Sequence, residues 1–83
     1  MITRYTKQAD KYLIKMQPKK AKSIRAKIQR IANGDFDGLN IKYFPSQDVY
    51  RLRVGQFRAI YKIINNELVL IVIAVGARGD IYK

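Results

Sequence analysis

Arg51, Arg53, Arg58 and Lys62 are the residues of this 83-residue sequence whose types and spacing imply chemistry. Arg51 and Arg53 stand two apart, Arg58 and Lys62 four apart, and Gly55-Gln56 lies between the pairs. If Gly55-Gln56 forms a two-residue turn, Val54 faces Phe57, Arg53 faces Arg58, Leu52 faces Ala59 and Arg51 faces Ile60. Side chains of a strand alternate between faces. Tyr50, Leu52, Val54, Phe57, Ala59 and Tyr61 therefore share one side, wholly apolar or aromatic, and Arg51, Arg53, Arg58 and Lys62 share the other. Like charges directly opposed across a sheet destabilise it by a few tenths to about 1 kcal/mol, and no acid in these strands offsets that cost. Guanidinium forks bind phosphate oxygens in bidentate fashion, so the pattern reads as a phosphate clamp. The plainer alternative is a solvated sheet face whose long side chains splay apart.

Composition narrows the chemistry further. The chain has no cysteine and no histidine, which removes disulfides, thiolate metal sites and the commonest general base. Its six acids are scattered, so a carboxylate metal cage is not expected, nor is any cofactor. Seventeen Lys and Arg give a net charge of +11, an excess that implies a polyanionic partner. Nucleic acid, the ribosome, an anionic membrane and an acidic protein are the candidates. A hydrophobic content of 48% supports a folded core and excludes a disordered basic tail. No signal-peptide run opens the chain, and the longest apolar run, Leu68 to Val75, is too short to span a bilayer. The expectation is one soluble, cytoplasmic domain over residues 1–83.

The elements that must position the cluster follow from periodicity. Ile2 to Tyr5 reads as a short strand, with Thr6 as a helix N-cap. Ala9, Tyr12, Leu13 and Met16 recur at helical spacing, and Gln17-Pro18 breaks that helix and starts another. In the second helix Ala21, Ile24, Ile28 and Ile31 form one apolar stripe, and Asn33-Gly34 stops it. Lys19, Lys20, Lys22, Arg25, Lys27 and Arg30 fill the rest, either to contact phosphate or as the solvated side of an amphipathic helix. Four β-type runs follow: Ile41 to Phe44, Val49 to Val54, Phe57 to Ile64 and Glu67 to Val75. Gly55-Gln56 suits a type II′ turn and Asn65-Asn66 a type I′ turn. The fold class is α+β, ordered β-α-α-β-β-β-β, with a helical hairpin packed on one face of an antiparallel sheet.

The last strand does not alternate cleanly. Strict alternation sends Leu68, Leu70, Val72 and Ala74 to the helix side, and Val69, Ile71, Ile73 and Val75 to the arginine side. Such a strand is central and partly covered by the C-terminal tail, or it offers a hydrophobic docking surface. If the turn at Gly76 to Asp80 folds back, Arg78 and Tyr82 join the arginine face. There, positive neighbours would lower the phenol pKa. The alternative is that Tyr82 is a frayed terminal aromatic.

The stretch Val49-Tyr50-Arg51-Leu52-Arg53-Val54-Gly55-Gln56-Phe57-Arg58-Ala59-Ile60-Tyr61 resembles a signature of the RelE/ParE toxin superfamily. Val75-Gly76-Ala77-Arg78-Gly79-Asp80-Ile81-Tyr82 is similar to its closing segment, where Val-Gly precedes a basic residue and a late tyrosine. The resemblance covers the whole chain, and the tail favours the RelE-like branch. That branch implies a ribosome-dependent endoribonuclease, in which the RNA 2′-hydroxyl attacks the adjacent phosphate without a metal. Carried over by position, Arg51, Arg53, Arg58, Arg78 and Tyr82 are the implied catalytic set, and Arg51, Arg53, Arg58 and Lys62 the implied RNA-phosphate contacts. The chain departs from relatives that place lysine at positions 51 and 53, or histidine near the tail. Arginine essentially never loses its proton, so proton transfer would fall to Tyr82, which alternatively stacks on a base. The implied partners are a cognate antitoxin and the ribosome with mRNA, with no membrane and no small-molecule cofactor. A ParE-like inhibitor of DNA gyrase without nuclease activity, and a passive basic RNA-binding module, are the competing readings.

Overall fold

The computed structural model describes residues 1–75. Its elements run β1 (Ile2–Tyr5), α1 (Lys7–Lys15), α2 (Pro18–Ala32), β2 (Asn40–Phe44), β3 (Val49–Val54), β4 (Phe57–Ile64) and β5 (Glu67–Val75). Local chemistry accounts for the helix ends. The Thr6 hydroxyl accepts the Ala9 N–H, capping α1. Pro18 opens α2 in a first turn, where its missing N–H costs nothing. At the far end Gly34 sits at φ +83 and its N–H bonds Ile31, while Asp35 N–H reaches Arg30. That pair of bonds is a Schellman motif, which a residue with a Cβ would strain.

The five strands form one sheet in the order β1-β5-β4-β3-β2. β2 to β5 are an antiparallel meander, as the two-residue turns require. β1, however, joins β5 in parallel, with Ile2 beside Glu67 and Tyr5 beside Leu70. The sheet is thus mixed rather than antiparallel. Two helices separate β1 from the rest, so no turn in the sequence determines its direction.

Both helices pack on one face. Leu13 from α1, Ile24 and Ile28 from α2, and Leu52, Leu68 and Leu70 from the sheet are almost wholly buried there. Burying each such side chain stabilises by about 1.5–3 kcal/mol. Alternation in β5 is broken by a bulge: Ile60 pairs with Val72, but Tyr61 pairs with Leu70, leaving Ile71 as the extra residue. Leu68, Leu70 and Ile73 therefore face the helices, while Val72 and Ala74 join the arginine side. This corrects the strict alternation, which assigned Ile73 to the arginine side and Val72 and Ala74 to the helices. β5 is an interior strand, flanked by β1 and β4.

Thr6 ties the bulge to the helix. Besides capping α1, its hydroxyl donates to the carbonyl of Ile71, and its backbone N–H donates to Leu70. Thr6→Val keeps the shape and removes the hydroxyl. Loss of the cap costs about 1 kcal/mol, and a part-buried carbonyl left without its donor adds about 1 kcal/mol or more. A drop of about 2 kcal/mol in urea unfolding is expected, with amide exchange quickened at β5. A neutral result would show that the cap is dispensable.

Candidate phosphate-binding face

The hairpin forms in the expected register. Gly55 has φ +59 and Gln56 is not left-handed, as a type II′ turn requires; Asn65 and Asn66 at φ +49 and +64 suit type I′. Val54 pairs with Phe57, Arg53 with Arg58, Leu52 with Ala59 and Arg51 with Ile60. Arg51, Arg53, Arg58 and Lys62 thus project from the face opposite the helices. Arg78 and Tyr82 lie outside the described residues.

The set is graded in depth. Arg53 is exposed, Arg51 and Lys62 are half-buried, and Arg58 is only 7% exposed. Val49 and Ile60 are buried at 1% and 2% without belonging to the helix-side cluster, so they are buried on this same face. The face therefore combines apolar burial at Val49 and Ile60 with cations at graded depth. A charge held at a buried position acts through a lower effective dielectric, which strengthens its pull on an anion.

β2 extends the face by a strand whose register the sequence leaves open. Lys42 pairs with Arg51 and Asn40 with Arg53. Phe44, also on this side, has its ring 5.2 Å from the Arg51 guanidinium carbon and 5.3 Å from the Lys42 ammonium. β2 is joined to β3 by Pro45–Asp48, where Asp48 takes φ +55. Such a four-residue loop admits several registers, so only the turn geometry reveals which β2 residues share the arginine side.

The opposite side holds these strands in register. Tyr43, Tyr50 and Tyr61 pack in a row across β2, β3 and β4, Tyr43 tilted against Tyr50 at 4.7 Å between centroids and Tyr50 stacked on Tyr61 at 5.1 Å. This packing braces the rows that carry Lys42 and Arg51 on the reverse side. Burial, reinforced by Tyr50, pushes the Tyr61 phenol up to about 12. A folded pKa above the ordinary phenol value means stability fully present below about pH 10 and lost as pH climbs toward about 12. Up to about 2–3 kcal/mol should disappear across that window, and Tyr61→Phe should flatten it while leaving stability at neutral pH nearly unchanged. Urea unfolding at stepped alkaline pH, with phenolate absorbance followed in parallel, measures this.

The other described tyrosines with displaced pKa values also move upward. Tyr5 is raised chiefly by burial, against the nearby Arg25. Tyr43 is raised chiefly by its hydrogen bond to Asp48, 2.8 Å long. None of these three phenols is tuned toward proton transfer near neutral pH.

Three of the described acids form ion pairs with cations outside the arginine hairpin. Glu67 pairs with Arg4 at 3.1 Å, Asp10 with Arg25 at 3.5 Å and Asp35 with Arg30 at 3.0 Å. Among the described residues no carboxylate forms an ion pair with Lys42, Arg51, Arg53 or Lys62. Two of the α2 cations, Arg25 and Arg30, are thus engaged in structural pairs, while Lys19, Lys20 and Lys22 remain exposed. Among the described residues no group of acids gathers as a metal site, and no helix is long and apolar enough to cross a membrane.

Comparison with known proteins agrees with this architecture. A family model described as "ParE toxin of type II toxin–antitoxin system, parDE" matches residues 3–82. Among solved structures, the RelE–RelB complex from Pyrococcus horikoshii OT3 matches with a TM-score of 0.76 at 16% identity, covering 94% of this chain and 97% of that one. The RelB–RelE antitoxin–toxin complex from Methanococcus jannaschii gives 0.73 at 20% identity, covering 87% and 88%. The isolated RelE toxin of E. coli gives 0.72 at 15% identity, covering 98% and 89%. At these identities the likeness is one of fold. No curated protein matches the chain.

Proposed function

The chain belongs to the ParE toxin family of type II toxin–antitoxin systems, and we propose that within it this chain is a ribosome-dependent endoribonuclease that cleaves mRNA by metal-free transesterification. The observation that carries this reading is the basic hairpin face, with Arg53 in register with Arg58, Arg51 opposite Lys42, and Arg58 buried. Like charges opposed in this way cost stability, and the arrangement is accounted for when an anion sits between them.

In the proposed reaction the ribose 2′-oxygen attacks the adjacent phosphorus. The O2′–P bond forms and the P–O5′ bond breaks, leaving a 2′,3′-cyclic phosphate and a 5′-hydroxyl. The 2′-hydroxyl gives up its proton and the departing O5′ gains one. Negative charge builds on the non-bridging oxygens in between, and a preorganised guanidinium aimed there is the type of electrostatic contribution that often dominates. Arg58, the buried member, is assigned that role. Arg51, Arg53 and Lys62 hold the flanking phosphates. Arginine keeps its proton and Tyr5, Tyr43 and Tyr61 are shifted upward, so proton transfer is assigned to Tyr82, with Arg78 supporting charge stabilisation. With so few acid–base groups, the ribosome must supply much of the rate by holding the RNA in line.

A toxin of this kind requires a partner. Several of the structural relatives are toxin–antitoxin complexes. For this chain we infer a cognate antitoxin whose acidic residues meet the +11 charge, acting in the cytoplasm where ribosomes and mRNA are found. The ParE description of the family favours a second reading, inhibition of DNA gyrase by binding. Two assays separate them. The nuclease reading expects mRNA cut on translating ribosomes and gyrase supercoiling unaffected; blocked supercoiling with intact mRNA would replace it by the second.

A further inference from the structure

We propose that Phe44 is a nucleobase-stacking residue of the RNA-binding face, a role that rests on the RNA-cleaving reading above. Among the described residues, Phe44 is the one aromatic on the arginine side of the sheet. Tyr5, Tyr12, Tyr50, Phe57 and Tyr61 belong to or pack against the helix-side core, Tyr43 leans against Tyr50, and Phe36 lies in the loop before β2. Phe44 is half-buried and closes β2, an edge strand with no further strand beyond it, so a base can approach from the open side.

Its surroundings are those of a nucleotide site. The ring lies 5.2 Å from the Arg51 guanidinium and 5.3 Å from the Lys42 ammonium, and Val49 is its cross-strand neighbour. A nucleotide whose phosphate is held by Arg51 has its base within reach of that ring. Exposed cation–π contacts are weak, whereas base–aromatic stacking and phosphate–guanidinium bonds are each stronger. The two cations therefore swing from ring to phosphate when RNA arrives, and the ring face they leave receives the base. Phe44 acts by contact with substrate, outside the phosphate chemistry.

The test uses mRNA-programmed ribosomes and two messages, one intact and one carrying a single abasic nucleotide, scanned through the positions flanking the cut. Phe44→Leu should raise the protein concentration giving half-maximal cleavage about tenfold, with a smaller change in the maximal rate, and Phe44→Tyr should restore it. At one position the abasic message should weaken the wild-type protein by a similar factor and weaken Phe44→Leu no further. Equal performance of Phe44→Leu and wild type, or independent addition of the two defects at every position, overturns the role of Phe44. Absence of any cut by the wild-type chain overturns the nuclease reading itself, and the stacking role with it.

Discussion

Replacing Arg58 with alanine is expected to lower the rate of mRNA cleavage on ribosomes by a factor of about 10²–10³, the loss typical when one preorganised donor to a developing oxyanion is removed. Three features give Arg58 this weight. It is the one buried charged residue among those described. It sits on the central strand β4, paired on both sides, so its position is rigid. It is in register with Arg53, whose field adds to its own. Arg58→Lys keeps the charge and loses the fork, and should recover only part of the rate. Thermal melts of both variants distinguish this from unfolding, since a folded Arg58→Ala protein that still binds ribosomes but does not cut isolates the electrostatic role. A folded Arg58→Ala protein cutting at the wild-type rate would remove Arg58 from the reaction.

Arg51→Ala combined with Arg53→Ala should move stability and RNA affinity in opposite directions. Arg51 opposes Lys42 and Arg53 opposes Arg58, so removing both relieves repulsion worth a few tenths to about 1 kcal/mol per pair. Each guanidinium–phosphate bond contributes about 1.5–3 kcal/mol, so affinity for programmed ribosomes should fall roughly 100-fold or more. The slope of log affinity against log salt should also shrink, by about 0.7 for every single-stranded phosphate that is no longer neutralised. A solvated face without ligand would give the gain in stability alone. That outcome would remove these arginines from RNA binding.

Much of this arrangement is legible in the residues because it rests on short-range rules. Gly55-Gln56 and Asn65-Asn66 set turn types, turn types set register, and register sets which arginines face one another. Thr6, Pro18 and Gly34 mark helix ends for equally local reasons. What escapes is what depends on the third dimension. The direction of β1 follows from packing across two intervening helices. The bulge at Ile71 hides in an unbroken apolar run, where every residue suits either face and no polar side chain marks the change. Its carbonyl is answered by Thr6, 65 positions away in sequence. Lys42 and Phe44 escape because their loop allows several registers, although Phe44-Pro45 beside a basic alternation is a visible hint. The depth of Arg58, which separates it from Arg53, is a property of the folded sheet alone.

If the arginine face holds an RNA phosphate while the chain is cut beside it, primer extension on mRNA in a purified translation system will show this most directly. Wild-type protein and Arg58→Ala are run in parallel. The expected result is new 5′ ends that appear only when ribosomes are present, carry a 5′-hydroxyl, leave a 2′,3′-cyclic phosphate upstream, and vanish with Arg58→Ala. Ribosome binding without any new ends from the wild-type protein would contradict it.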